Sequence, residues 1–328
     1  MEQEEKKMET TTQRQSAGGR LSDVINTAAS ESGLIDSLQL FDHSYLLTPE
    51  KTFKFQGQSI TPESKLASRT TQFAHDNEEP KIVKTLKATN LGTEETISLE
   101  GLGDKSDASV EDFLLGKARD LKANVAKQRE DLLLSAMLGK AGAVEGAPEL
   151  YDVYDDFNIK RREAQVRLSD PRANIAAEME AIIEDSERVS SAPYASYLYC
   201  LTSQSFFDAL IEHPSMKPYY ENFNEFRMFK DNKADFEYKN CKFIVYKPEL
   251  GFKLSIPDGT ALIIPGDLKG CLREYIAPIP NSDGTMLYNS RYGVETEHAG
   301  DGRVVMKVKS SLLPILLKPH YVTSLTMA

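Results

Sequence analysis

Residues 109–138 read SVEDFLLGKARDLKANVAKQREDLLLSAML and form the longest helical pattern in the chain. Its apolar side chains recur at helical spacing, at Val110, Leu114, Ala118, Leu121, Val125, Leu132 and Ala136. Ser109 is suited to cap the start of the helix, and Gly139 is suited to end it. A helix of this length spans about 45 Å at about 1.5 Å per residue. The pattern therefore predicts either an amphipathic helix on a sheet or a spine that carries a subunit across a thin shell.

The remaining positions of this stretch are mostly charged. They are Glu111, Asp112, Lys117, Arg119, Asp120, Lys122, Lys127, Arg129, Glu130 and Asp131. Charged side chains are rarely buried without a partner, so the sequence predicts that they form the polar side of the helix.

The region before this helix is poor in apolar residues. Only 25 of residues 1–107 are Leu, Ile, Val, Met, Phe, Tyr or Trp, against 52 of residues 190–328. Ordering the backbone costs roughly 1–2 kcal/mol per residue, which so little apolar area cannot offset. We therefore expect this region to become ordered by lying on another surface, for which an identical copy is the nearest candidate.

Two segments of this region alternate loosely, around residues 52–60 and 80–90, and predict a long two-stranded arm. An isolated hairpin is marginal in water, so the arm needs a partner. A second contact element is expected in the Gly/Asn/Asp-rich loop 280–302. The expected contacts between subunits are Phe53, Phe55, Ile82, Lys84 and Leu86 on the arm, with Tyr288 and Arg291 on the loop.

From about residue 191 the sequence alternates short apolar strands with helical patches, which is typical of a compact α/β domain. Residues 242–246, 261–264, 272–277, 303–309 and 312–317 are predicted strands. Residues 203–212 are a predicted helix capped by Thr202 or Ser203. Between the long helix and this domain, residues 151–154 and 164–168 predict a strand pair, followed by a helix at about 172–188.

Motifs for catalysis or metal binding are missing from the sequence. No phosphate-binding loop and no Gly-x-Ser-x-Gly elbow occurs, and the five histidines lack metal-ligand spacing. Cys200, Cys241 and Cys271 are widely spaced and predict buried free thiols. The sequence therefore predicts no enzyme, no catalytic residue, no cofactor and no metal.

The charge of the chain limits its partners. The net charge is −11 and the pI is about 5.1, so a direct grip on DNA is not expected. The amino terminus is charged, without an apolar stretch behind it, and no run of about 18 apolar residues occurs. We therefore expect synthesis in the cytosol.

The order of these segments resembles the major capsid protein of lambda-type tailed phages (the major capsid protein E family), with the Hong Kong 97 capsid fold. The resemblance covers roughly residues 44–328 and depends on the ordered set, because each segment alone is weak. The segments that carry it are 48–53, 69–73, 80–83, 126–130, 138–140, 242–246, 259–266, 310–317 and 322–325.

The resemblance implies an α+β fold with four parts. Residues 1–50 would be an N-terminal arm, 51–105 an extended loop, 106–190 a peripheral domain with its spine helix at 109–138, and 191–328 an axial domain. It also implies self-assembly into pentamers and hexamers of an icosahedral shell that encloses double-stranded DNA without reading its sequence.

The resemblance further implies a scaffolding protein, a portal protein and a decoration protein as partners, with assembly in the host cytoplasm and a final place in the virion. No membrane partner is implied. The alternatives are a nanocompartment shell, a phage tail or adaptor protein, and a soluble α/β hydrolase-like enzyme.

Overall fold

The computed structural model describes residues 22, 24–26, 33–56, 59–62, 82–98, 107–141, 151–190, 197–225, 235–247, 254–266, 269–300 and 303–328. The helices are α1 (Leu34–Ser37), α2 (Asp107–Met137), α3 (Val153–Asp156), α4 (Ile175–Ser190), α5 (Gln204–Glu212) and α6 (Lys217–Glu225), with a short 3-10 turn at Pro319–Tyr321. Parts of the sequence that carried the resemblance, residues 69–73 and 80–81, lie outside the described residues.

The strands are β1 (Asp42–Tyr45), β2 (Glu50–Gln56), β3 (Ser59–Pro62), β4 (Ile82–Lys87), β5 (Thr89–Ser98), β6 (Lys140–Ala141), β7 (Tyr151–Asp152), β8 (Arg162–Val166), β9 (Leu198–Thr202), β10 (Asp235–Tyr238), β11 (Cys241–Val245), β12 (Thr260–Pro265), β13 (Leu272–Ile276), β14 (Ile279–Pro280), β15 (Met286–Leu287), β16 (Gly293–Gly300), β17 (Arg303–Leu316) and β18 (Thr323–Met327).

Helix α2 is the predicted long helix, and we call it the spine helix. It contains 31 residues and begins and ends within two residues of the predicted bounds, so the helix is confirmed. The predicted cap is wrong, because the helix begins at Asp107 and Ser109 lies within it. Ala118, Leu121, Val125, Leu132 and Ala136 are all buried. They belong to one core with apolar residues of β5 and β17, so the spine helix lies on a sheet.

That sheet has five strands, in the order β1-β13-β17-β16, with β5 also paired to β17. Strand β17 pairs antiparallel with β5 from Arg303 opposite Ser98 to Leu312 opposite Thr89. The sequence predicted two strands here, within the axial domain. The structure has one continuous strand, and it lies with the spine helix, because Met306, Val308 and Leu312 of its alternating apolar face pack in the spine-helix core.

A second sheet has six strands in the order β10-β11-β9-β12-β18-β8. Met179 of α4, Phe206 and Leu210 of α5, and Phe236 and Phe243 of the sheet share a separate core. Helix α5 begins as predicted, because the Ser203 hydroxyl accepts a hydrogen bond from the backbone N–H of Phe206. The domain boundaries drawn from the sequence stay a prediction.

The arm forms a third sheet, in the order β3-β2-β4. Strand β2 pairs with β4 from Glu50 opposite Lys87 to Phe55 opposite Ile82, as expected for residues 52–60 and 80–90. A third strand, β3, was not expected. Leu46, Phe53, Ile60 and Leu86 pack in a core with residues of β7, α3, β13 and β17.

Two expectations are wrong. For the described part of the apolar-poor region, the covering surface is supplied by the same chain, because Ile35, Phe41, Leu91 and Ile97 pack in its own spine-helix core. The predicted strand pair at 151–168 does not form either. Asp152 caps the short helix α3 by accepting hydrogen bonds from two backbone N–H groups, and β8 pairs with β18 instead.

Candidate functional site

The arm residues expected to contact neighbours divide into a covered and an exposed set. Phe53 is fully buried and meets Tyr275 edge to face, with ring centroids 5.6 Å apart, and Leu86 is buried as well. Phe55 and Ile82 are half-buried, and Phe55 tilts against Phe157. Only surface on the exposed set is free to meet another molecule.

The other three candidates carry polar or aromatic surface. The ammonium of Lys84 lies 3.1 Å from the carboxylate of Asp156, and the Lys84 side chain is 45% exposed. Tyr288 is 48% exposed beside the β14–β15 hairpin. Arg291 turns inward, and its guanidinium lies 3.6 Å from the carboxylate of Glu274. The arm and the loop are therefore not one site, and Arg291 belongs to a charged cluster that the sequence analysis missed.

Arg129 of the spine helix is the centre of that cluster and is only 1% exposed. Its Nε and Nη2 donate to the two carboxylate oxygens of Glu274 on β13, at 2.6 and 2.7 Å. The same guanidinium donates to both carboxylate oxygens of Asp36 on α1, with Nη2 to Oδ1 at 2.9 Å. One buried cation thus joins α1, the spine helix and the five-stranded sheet.

Glu274 is fully buried, yet it is held in its ionised form. Burial alone would raise the pKa of this carboxyl, but the charge and hydrogen bonds of Arg129, with a hydrogen bond from His43, lower it well below its usual range. The Nδ1 of His43 lies 2.8 Å from Glu274 Oε2. Arg291, which precedes β16, adds a further positive charge. Removing a partner would leave a buried charge unpaired.

Glu130 lies next to Arg129 and is 2% exposed. Its Oε1 accepts a hydrogen bond from the backbone N–H of Ile35 at 2.7 Å, whereas its Oε2 is buried without a hydrogen-bond partner. Burial raises the pKa of Glu130 to about 7, and the nearby Asp36 adds to the rise. A side chain on Gly33 would collide with the same carboxyl, because its Cβ would lie 2.2 Å from Glu130 Cδ.

Two further charges of the spine helix are buried against backbone groups. The ammonium of Lys122 donates to the carbonyl of Ile25 and lies 5.2 Å from the centre of the Tyr292 ring. The carboxylate of Asp131 accepts from the backbone N–H of Leu254 at 3.1 Å. The prediction that the charged residues form an exposed polar side is therefore wrong for four of them, which are buried: Lys122, Arg129, Glu130 and Asp131.

The sequence held one signal for this burial. Leu132, Leu133 and Leu134 are consecutive, so their side chains point to more than half of the helix circumference. A helix that is apolar on all sides is enclosed, and charges beside such a run must be enclosed with it. What the sequence could not show is the identity of their partners, since Ile35 and Asp36 lie more than 90 residues away.

The cluster is built to hold segments together. Every hydrogen bond of the Arg129 guanidinium given above goes to a carboxylate of its own chain. Within the described ranges no His, Cys, Asp and Glu side chains gather at metal-binding distance, and no helix has the length and apolarity to cross a membrane. Cys200, Cys241 and Cys271 are buried and free, as predicted, and burial raises the pKa of the Cys271 thiol to about 12.

Comparison with known proteins identifies the architecture. A family model described as phage major capsid protein E matches residues 87–327. None of the curated proteins matches the sequence. The crystal structure of a protein assigned as the capsid protein of a prophage of E. coli CFT073 is 12% identical, covers 95% of this chain and 99% of its own, and has a TM-score of 0.57. The asymmetric unit of the bacteriophage PhiM1 mature capsid is also 12% identical, with coverage of 92% and 89% and a TM-score of 0.50. These likenesses confirm the predicted fold.

Proposed function

Because the chain belongs to the phage major capsid protein E family, and is the major capsid protein of a tailed phage with the Hong Kong 97 fold, we propose that its copies assemble as pentamers and hexamers into an icosahedral shell around double-stranded DNA. The observation that carries this proposal is the family match over residues 87–327. That stretch contains the spine helix, most of the five-stranded sheet and the whole six-stranded sheet.

We assign the contacts between copies to the exposed parts of the arm and the loop. Phe55, Ile82, Lys84 and Tyr288 offer half-exposed or exposed surface in the single chain. Phe53 and Leu86 are covered by their own chain, so their part is to hold the arm in shape. Arg291 acts in the same way through Glu274. This division explains how an arm with little apolar surface is presented to a neighbour.

The remaining partners follow from the same proposal. We propose a scaffolding protein, a portal protein and a decoration protein as partners, with assembly in the host cytoplasm and the virion as the final location. The net charge of −11 supports enclosure of DNA without sequence-specific binding, because an acidic surface repels phosphates. The family and its structural relatives are structural proteins, and we propose that this chain has no catalytic activity.

The test is assembly of the purified full-length chain, followed by size-exclusion chromatography and negative-stain microscopy. We expect capsomer rings or closed shells tens of nanometres wide. Tyr288→Ala is expected to lower the yield of particles without changing the melting temperature, because the side chain is exposed in the single chain.

Tyr219→Ala is the matched control for that variant. Tyr219 is also 48% exposed but lies on α6, away from the arm and the loop. A wild-type chain that stays monomeric under all conditions, with or without a co-expressed scaffold, would contradict the proposal. Tubes or short stacks in place of shells would favour a tail or adaptor protein.

A further inference from the structure

A cleft of about 560 Å³ opens between strand β8 and helix α4, at the end of the six-stranded sheet. Its lining carries three cations, Lys160, Arg161 and Arg162, against two carboxylates, Glu163 and Asp185, so it is basic overall. Its apolar part consists of Ala164, Ala181 and the half-buried Ile182. We call it the basic cleft. Strand β8 is the last strand of its sheet, so the cleft lies at an edge that another molecule can reach.

The cations of the basic cleft are only partly neutralised. Arg162 pairs with Asp185, which also pairs with Arg188. Arg161 has no carboxylate partner among the described residues. It donates to the carbonyl of Leu138 at 3.2 Å and lies 4.3 Å from the centre of the Tyr154 ring. Lys160 is exposed and pairs with none of the described side chains. The cleft thus offers positive charge in a chain of net charge −11.

A complementary surface lies at the opposite end of the spine helix. Glu111, Asp112 and Phe113 are consecutive and exposed, and none of the three has a partner in the described part of the chain. The Phe113 ring is 38% exposed and adds apolar surface beside the two carboxylates. We call this surface the acidic knob. It combines one apolar ring with two carboxylates, and the basic cleft combines an apolar part with an excess of cations.

The spine helix keeps these two surfaces apart within one chain. Arg161 binds the carbonyl of Leu138, directly after the helix, so the basic cleft lies at its carboxyl end. From Phe113 to Leu138 is 25 residues, or about 38 Å along a helix. The acidic knob therefore cannot reach the basic cleft of its own chain, whereas the knob of a second copy can.

We propose that the acidic knob of one copy docks in the basic cleft of a second copy, so that copies join head to tail. The proposal rests on the shell assembly proposed above and names one of its contacts. A head-to-tail contact uses two different surfaces on each copy, which generates closed rings when the rotation closes. Charge complementarity would also steer the copies into register despite their common negative charge.

Charge reversal tests this contact. Asp112→Lys and Lys160→Glu are each expected to lower the yield of particles at least tenfold, because each places like charges across the contact. The two changes on one chain restore opposite charges, and we expect the yield to return to within twofold of wild type. Lys247→Glu, at another exposed lysine, is the control and is expected to assemble normally. Melting curves of each variant are measured to check that it is folded. A double variant that assembles as poorly as the single ones overturns the proposal.

Disulfide cross-linking detects the contact between the acidic knob and the basic cleft without relying on particle yield. Glu111→Cys and Glu163→Cys place one thiol beside the knob and one beside the cleft, and both native residues are exposed. The three native cysteines are buried and do not compete. Mild oxidation of a mixture of the two variants is expected to give disulfide-linked dimers, and a mixture of Glu111→Cys with Glu212→Cys is expected to give few. Particles without the dimer overturn the head-to-tail contact and leave the shell function standing. If the wild type forms particles but the mixed variants stay soluble without the dimer, the contact is overturned as well. A wild-type chain that never assembles overturns the shell function, and the contact is then decided by the dimer alone.

Discussion

The two halves of the spine helix have similar charges and opposite environments. In the first half, Glu111, Asp112, Arg119 and Asp120 are exposed to solvent. In the second half, Arg129, Glu130 and Asp131 are buried. The difference comes from what covers the helix, because α1 and β13 lie over the second half and supply its partners. Whether a charged side chain on a helix is exposed or buried in an ion pair therefore depends on segments far away in sequence that cover the helix.

The largest effect is expected from a charge placed at a buried apolar position of the spine helix. Leu121→Asp buries a carboxylate without a partner, and we expect it to abolish cooperative unfolding or to lower stability by about 5 kcal/mol or more. Gly116→Asp is the matched control, because a side chain there meets nothing within 4 Å. Circular dichroism melts of both variants measure the effect. A folded Leu121→Asp protein of normal stability would contradict the burial of this face.

The next largest loss of stability is expected from removing the buried guanidinium of Arg129. Arg129→Met keeps most of the side-chain volume but leaves Glu274 and Asp36 without their guanidinium, so we expect a loss of about 3–5 kcal/mol in urea unfolding. Arg119→Met removes the same group from the exposed half and is expected to change stability by less than about 0.5 kcal/mol. Equal losses in the two variants would remove the distinction between the halves.

The third effect depends on pH. The pKa of Glu130 is about 7 in the folded chain against an ordinary value of 4.5, so its protonated form is favoured by folding. The corresponding stability is present below about pH 4.5 and is lost as the pH rises through 7. Glu130→Gln cannot ionise. We therefore expect the wild type to lose about 3 kcal/mol relative to this variant between pH 5 and pH 8, as an order of magnitude.

Urea unfolding of both proteins at several pH values measures that difference. The comparison between the two proteins removes the contributions of titrating groups that do not interact with Glu130. Two parallel curves would show that Glu130 does not titrate in this range.

The smallest effect is expected in the exposed half. Lys117 pairs with Glu95 at 2.7 Å, and both side chains are about one third or more exposed. Water and salt screen such a pair, so Lys117→Ala is expected to leave the melting temperature unchanged within replicate scatter. A clear drop in melting temperature would mean that the first half is less solvated than the structure shows.

The sequence predicted the local features of this helix well. Its length, its bounds and the burial of Leu121, Val125 and Leu132 follow from spacing alone. The inside position of Arg129 did not follow, because it depends on Asp36 and Glu274, which lie 93 and 145 residues away. Periodicity describes which residues share a face and does not describe what covers that face.

The same limit applies to the sheets. The alternation of β17 was recognised, but its partner was not, since the pairing with β5 joins residues about 200 positions apart. The strand predicted at 151–154 failed for a local reason, because Asp152 caps a helix that begins one residue later. The apolar count of the first 107 residues correctly indicated a region without its own core. It could not show that the covering surface belongs to the same chain.

The pairing of β5 with β17 also has a consequence for synthesis. Strand β5 ends at Ser98, and its partner begins only at Arg303. At about 5–20 residues per second, a ribosome needs roughly 10–40 s to make the intervening stretch. During that time the apolar side of the spine helix is not covered by β17. A nascent or truncated chain that lacks the last 26 residues therefore cannot complete the body of the molecule, and only full-length chains present a finished subunit to the growing particle.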